Sequence, residues 1–250
     1  MLNIVIPMAG RGSRFQKDGY HLPKPLLPIH GKKMIHLVIN NLKPSRPHRF
    51  IFLCLQEHLD AYGLKDELEV MAPDCLVVPV NQVTEGAACT VLLAAEHIDG
   101  DQSLMIANSD QWVDFSIDDY LSRLDAEGVD GLIMTMESDH PKWSYVGFDE
   151  GGRVTRVVEK EVISNEATVG VYNFKTGADF VKGARTMIAK NLRVNGEFYV
   201  APVYNELLSE GRELQVFNVG AEGAGMYGIG IPEDYEAFIR HPISLKATHF

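Results

Sequence analysis

The residues best suited to chemistry lie near the start of the chain, in Pro7-Met8-Ala9-Gly10-Arg11-Gly12-Ser13-Arg14-Phe15 and, shortly after, Pro23-Lys24-Pro25-Leu26-Leu27-Pro28. Two glycines just past an apolar run let the backbone turn sharply and aim several N–H groups at one anion. Arg14 adds a planar fork of donors that spans phosphate oxygens, and Lys24 adds a compact charge between two stiffening prolines. Close backbone approach, fixed cations and room for a metal ion are what a triphosphate requires. The stretch is not a P-loop, because no Gly-Lys-Ser/Thr follows the glycines. Nor is it a dinucleotide fingerprint, since Phe15 stands where the third glycine belongs and no acidic residue ends the second strand at the expected distance. A plain βα turn would explain Gly-x-Gly alone; the Ser-Arg-Phe and Pro-Lys-Pro that follow weigh against it.

Three further segments carry polar groups at places where a ligand could meet them. Gln82-Val83-Thr84-Glu85-Gly86-Ala87-Ala88 joins an amide able to donate and accept at a base edge to small residues that admit a flat ring. A helix-capping turn with Thr84 as the cap accounts for the same pattern. Leu104-Met105-Ile106-Ala107-Asn108-Ser109-Asp110 sets an aspartate just past a buried strand, where open α/β sheets hold ligands and a hard cation finds carboxylate oxygen. A turn-forming or capping aspartate is the rival there. Val157-Val158-Glu159-Lys160 ends a later strand, and taken alone reads as a solvated ion pair. Trp112, Trp143 and Tyr145 offer faces for a sugar or polyol, with core packing the expected duty of at least one tryptophan.

Gly-Arg-Gly-Ser-Arg-Phe, then Pro-Lys-Pro-Leu-Leu-Pro, then Gly31-Lys32-Lys33-Met34-Ile35 resembles the signature of the sugar-phosphate nucleotidyltransferases, and further matches run nearly to residue 238. The resemblance implies an NTP held through Ala9, Gly10, Gly12, Ser13, Gln82, Gly86 and Ser109, with Arg14, Lys24 and Asp110 as the catalytic set and Asp110 as the Mg²⁺ ligand. It implies a small phosphorylated acceptor held by Glu159, Lys160, Gly170, Glu197 and Tyr199, the last two in Asn195-Gly196-Glu197-Phe198-Tyr199. Asp110-Gln111-Trp112-Val113-Asp114 is not the Asp-x-Asp of metal-dependent glycosyltransferases, which use a related fold. One departure stands out. Many relatives carry a second metal-binding aspartate in Asp-x-Gly-Thr-Pro, whereas Gly228-Ile229-Gly230-Ile231-Pro232 puts Gly228 at that place. The chain's shortness resembles the compact cytidylyl- and thymidylyltransferases of capsule and lipopolysaccharide synthesis, which makes CTP the favoured nucleotide, ahead of dTTP and UTP. A glycosyltransferase and a nucleotide-binding pseudoenzyme are the alternatives.

The elements that must position these residues follow from periodicity. Apolar runs predict strands at 2–8, 48–55, 75–80, 104–108 and 130–136, with helical patterns at 34–42, 56–70, 87–96 and 117–127 between them. Such alternation predicts an α/β fold: a mostly parallel, Rossmann-like sheet flanked by helices. Shorter strands at 145–148, 154–159 and 169–174, split by turns such as Glu150-Gly151-Gly152, predict a smaller antiparallel, acceptor-binding lobe. Helices at 178–191, 199–209 and 232–240 and a strand at 214–219 complete the pattern. The expected organisation is one domain, residues 1–250, with a nucleotide lobe at about 1–140 and an acceptor lobe at about 141–245.

Composition narrows the partners. The 250 residues carry 23 Lys and Arg against 34 Asp and Glu, a net charge of −11, which disfavours nucleic acid and anionic membrane. Cys54, Cys75 and Cys89 show no zinc or redox spacing and read as structural thiols of a reducing compartment. The start lacks a basic, apolar leader and no stretch is long enough to span a bilayer, so the expected location is the cytoplasm. A homo-oligomer is compatible with all of this.

Overall fold

The computed structural model describes residues 1–250. Its strands are β1 (Leu2–Met8), β2 (Pro28–Ile29), β3 (Lys32–Lys33), β4 (His48–Leu55), β5 (Leu76–Val80), β6 (Ser103–Ala107), β7 (Gln111–Val113), β8 (Gly131–Glu137), β9 (Ser144–Phe148), β10 (Val154–Glu159), β11 (Glu166–Phe174), β12 (Leu214–Glu222) and β13 (Gly225–Gly228). Apart from the small β2–β3 pair, all belong to one mixed sheet with the path β5-β4-β1-β6-β11-β8-β12-β13-β7, to which β9 and β10 attach through β11. The first four strands of that path pair in parallel. The chain runs outward from β1 to β4 and β5, then returns to the other side of β1 as β6. That reversal is a topological switch point, and the carboxyl ends of β1 and β6 open into its crevice.

Burial explains the strands. Ile4, Val5 and Ile6 of β1 and Phe52, Leu53 and Cys54 of β4 are all solvent-inaccessible, as expected of strands covered by helices on both faces. Even-numbered β1 residues join one apolar cluster, with helix Met34–Leu42 and helix Ile117–Leu124; Val5 joins the other, with helix Gly177–Ala189. Each aliphatic side chain fully withdrawn from water contributes roughly 1.5–3 kcal/mol, so these two faces carry the stability of the sheet.

A third cluster bears directly on the glycine loop at residues 9–14. Phe15, Leu27, Ile29, Met34, Trp112, Ile229, Tyr235 and Phe238 pack together beneath it. Phe15 meets Tyr20 and Tyr235 edge to face at 5.3 and 5.7 Å. Phe15 is thus an anchor that ties the short helix Ser13–Lys17 to the C-terminal helix Pro232–Arg240.

Several expected elements differ in detail. The helical pattern over 56–70 is two helices, Gln56–Tyr62 and Leu64–Met71, split where Gly63 takes a left-handed φ of 58°. The pattern over 87–96 is likewise two short helices, Ala87–Leu92 and Ala95–Ile98. Residues 199–200 are not helical; a 3₁₀ turn at Ala201–Val203 leads into helix Tyr204–Ser209. β9 and β10 pair antiparallel as expected, but β11 inserts between β6 and β8, so segments from both halves of the chain build one sheet. No helix is long and apolar enough to cross a membrane. Burial pushes the Cys54 thiol up to about 12 and Cys75 up to about 11, consistent with structural thiols.

Candidate functional site

Residues 9–14 leave the end of β1 and residues 108–110 leave the end of the adjacent β6, so the two loops face one another across the switch point. Ala9 and Ser109 are buried in the walls, Gly10 is open to solvent, and Gly12 sits with Lys24 Cβ 3.4 Å from where a side chain would begin. Lys24 starts a 3₁₀ turn, Lys24–Leu26, whose Pro25 and Leu26 are buried. That anchoring aims its ammonium at Asp110: Nζ donates to Oδ2 at 2.6 Å, with the two side chains 22% and 24% exposed. The lysine and aspartate that sequence placed 86 residues apart therefore meet directly.

Asp110 lies against the C-terminal segment as well. Its carbonyl accepts from Ile229 N–H at 2.9 Å, and a Cβ at Gly230 would stand 2.5 Å from its Oδ2. Pairing of β13 with β7 puts Gly228 opposite Gln111. A side chain at Gly228 would begin in ordinary contact, 3.7 Å from Asp234 Oδ2 and 3.9 Å from the Met226 methyl, so an acid there would fit beside another carboxylate. Burial raises the Asp234 carboxyl from its ordinary value, and Lys142 acts against that shift. No group of three or more His, Cys, Asp or Glu side chains gathers anywhere in the chain. Mg²⁺ fits this donor set, because it accepts a single carboxylate when phosphate and water complete its shell.

Two cavities share this crevice. One, of about 290 Å³, is lined by Arg14, Asp110, Gln111, Gly228, Gly230 and Asp234 among others. The second, of about 300 Å³, is lined by Ser144, Glu159, Thr168, Gly170, Tyr172 and Tyr199 among others. Asn108, Lys142, Trp143 and Lys160 line both.

On the second side, Lys160 donates to the Tyr199 hydroxyl at 2.6 Å and lies over its ring. Glu159 accepts from Ser144 Oγ; burial raises its carboxyl, while that bond and Lys160 pull the other way. Gly170, at φ +81°, is pressed against Asn108: its carbonyl accepts from Asn108 N–H at 2.9 Å, and a Cβ there would stand 2.2 Å from the Asn108 amide nitrogen. Glu197 is exposed and lines neither cavity, though its charge acts on Glu159 and Lys160.

Gln82 is exposed on the loop after β5 and lines neither cavity. Gly86 has a structural duty. Its φ is +133°, and a Cβ would lie 2.4 Å from the Phe198 carbonyl oxygen. Phe198 N–H donates to Glu85 O at 2.8 Å and Ala88 N–H to Phe198 O at 3.1 Å, which locks the two loops together. Gly86→Ala is therefore expected to destabilise the fold by at least about 2 kcal/mol. Thermal unfolding should show Tm lowered by roughly 4–8 °C; an unchanged Tm would remove the clamp between these loops.

The aromatic candidates separate. Trp112 is core, against Tyr227 and Phe238, and Tyr145 is core with its hydroxyl on the His140 carbonyl. Trp143 alone of the three lines a cavity. Lys142 was not picked out from sequence; a lone lysine beside Trp143 has no spacing signal, and only the folded crevice reveals it.

Residues 4–192 match the family model described as Nucleotidyl transferase. The bifunctional protein GlmU of Ralstonia nicotianae is 29% identical over 217 residues, covering 84% of this chain and 45% of that protein. GlmU of Methanococcus aeolicus is 24% identical over 177 residues, covering 70% of this chain and 40% of that one. The chain thus spans less than half the length of these curated relatives. A nucleoside-diphosphate-sugar pyrophosphorylase from Vibrio cholerae RC9 superposes with a TM-score of 0.81 at 26% identity, over 95% of this chain and 100% of that one. A putative glucose-1-phosphate thymidylyltransferase from Bacillus anthracis, in complex with a sucrose, shares the fold at a TM-score of 0.73 and 17% identity, over 100% of this chain and 96% of that one. The match over residues 4–192 shows that the chain belongs to the nucleotidyl transferase family, whose fold its solved neighbours share.

Proposed function

We propose that the chain transfers a nucleoside monophosphate from an NTP to a sugar phosphate or similar small phosphate and releases pyrophosphate. The observation that carries this reading is the pair of cavities with a shared wall. A polyphosphate beside Arg14 and Asp110 and an acceptor beside Glu159 and Lys160 would meet at Asn108, Lys142, Trp143 and Lys160. The acceptor phosphate is the nucleophile. Its second pKa is about 6, so it is largely ionised at neutral pH. No general base is required, and no histidine lines either cavity. Holding two polyanions in line and neutralising the leaving group is the work that remains.

In this reading the glycine-loop N–H groups and Arg14 hold the departing pyrophosphate. Lys24 moves from Asp110 to the α-phosphate, and Lys160 offsets repulsion from the acceptor. Bound at Asp110, Mg²⁺ would screen phosphate charge. CTP is the nucleotide proposed, with dTTP and UTP as its alternatives; Gln82, outside both cavities, would have to close onto a base for its amide to read a pyrimidine edge. The nucleotide-activated product would feed surface polysaccharide synthesis, from the cytoplasm. A matrix of NTPs against sugar and polyol phosphates, scored by pyrophosphate release and product mass, tests the reading. Binding of NTP without turnover on any acceptor would favour a pseudoenzyme; turnover of a preformed nucleotide-sugar without pyrophosphate would favour a glycosyltransferase.

The division of labour has its own test. Glu159→Ala and Lys160→Ala should each raise the acceptor KM by about tenfold or more, since each removes a charged contact, and leave the NTP KM within about twofold. Equal damage to both constants would place the two residues in the nucleotide site or the scaffold.

A further inference from the structure

Of the four side chains on the shared wall, two are cations, and only Lys160 has a role so far. Lys142 is the other. Its Nζ lies 2.7 Å from Glu222 and 4.6 Å from the centre of the Trp143 ring. The pair is 37% and 38% exposed, and an ion pair that open adds little to stability. The ammonium is therefore held loosely, on the wall common to the two cavities. Trp143 adds an independent sign. Its indole Nε1 is buried with no hydrogen-bond partner, and buried donors are rarely left unpaired. Lys142 and Trp143 are consecutive residues at the entry to β9, on the wall where two polyanions would meet.

We propose that Lys142 and Trp143 form a second phosphate clamp, in which the Lys142 ammonium leaves Glu222 for the acceptor phosphate and the Trp143 ring turns to bring its buried, unpartnered indole N–H to the same group. The inference rests on the nucleotidyltransferase reading, which brings a phosphate to this wall. Its physical basis is charge. The acceptor dianion must approach a polyphosphate, and a second cation on the shared wall adds to the screening that Lys160 provides. Glu222 then acts as a competitor that keeps the Lys142 charge in place while the cavity holds no anion.

Glu222 makes the test decisive, because Lys142→Gln and Glu222→Gln break the same ion pair but only one removes the cation. The probe is inorganic phosphate, titrated at low ionic strength and followed by ³¹P line broadening, against wild type, Lys142→Gln, Glu222→Gln, Trp143→Phe and Lys182→Gln. Lys182 pairs with Glu210 away from both cavities and controls for net charge. Lys142→Gln should weaken phosphate about fivefold to tenfold and Trp143→Phe about threefold, as loss of charge-assisted and neutral donors implies. Glu222→Gln should bind as well as wild type or more tightly, and Lys182→Gln should match wild type. Equal weakening by Lys142→Gln and Glu222→Gln would reduce the pair to a structural strut and overturn the clamp. So would a Lys142→Gln variant that behaves like Lys182→Gln. A wild type that binds neither phosphate nor any NTP would instead overturn the nucleotidyltransferase reading, and the clamp with it.

Discussion

Lys24→Ala and Arg14→Ala should each lower turnover by about 10²–10³-fold, the usual cost of one charge contact made in the transition state, while the protein stays folded. The structure supplies the reason for both halves of that expectation. Pro25 and Leu26 anchor the Lys24 turn and Phe15 anchors the Arg14 helix, so neither charged side chain supports the core itself. Lys24 touches Asp110 through its ammonium alone, and both side chains keep about a quarter of their surface in water. Alanine there frees a carboxylate that solvent can reach. Pyrophosphate release at saturating substrates, with thermal unfolding as the control, measures the effect. Wild-type kinetics in either folded variant would remove these residues from the reaction.

The second large effect concerns the metal. Asp110→Asn keeps the shape of the side chain but deletes its charge, and should lower kcat by a similar factor while raising the Mg²⁺ needed for half-maximal turnover. Chelation with EDTA should stop turnover without unfolding, because no protein cage of three or more acidic, His or Cys ligands exists for the fold to depend on. Gly228→Asp is the pointed complement. The new side chain would start, at its Cβ, 3.7 Å from Asp234 Oδ2, on a residue paired with Gln111, next in sequence to Asp110. Without metal, these like charges should repel and lower Tm; with Mg²⁺, the loss should be recovered and the metal requirement should fall. Tm measured with and without Mg²⁺ reads this independently of catalysis. An Mg²⁺ dependence unchanged by Asp110→Asn would place the cation elsewhere.

The elements that sequence defined cleanly are those whose pattern runs for several residues. Six apolar residues among the seven of β1, and apolar residues at helical spacing over Met34–Leu42 and Pro232–Arg240, announce their own burial. β7 and β13, of three and four residues, are too short to show any period, and they became strands only by pairing with other strands, β7 with β13 and β13 also with β12. The proposal of phosphate binding by the glycine loop rests on a similar local reason. Glycines, an arginine and a proline-flanked lysine within a short stretch constrain what that stretch can bind, whatever surrounds it.

What depended on distant contacts was decided only in three dimensions. Which tryptophan packs and which faces a ligand follows from neighbours far along the chain: Phe238 covers Trp112, while Trp143 is left at the cavity wall. Gly86 read as room for a base, yet the Phe198 backbone 2.4 Å from its absent Cβ gives it a structural reason. Lys142 carried no motif at all, and gained meaning from the wall it shares with Lys160. The insertion of β11 between β6 and β8 likewise rests on strand pairing across some thirty to seventy residues of chain, a sum of many weak contacts that no local window contains. Local spacing determined the chemistry this chain can offer; long-range packing decided where those groups meet.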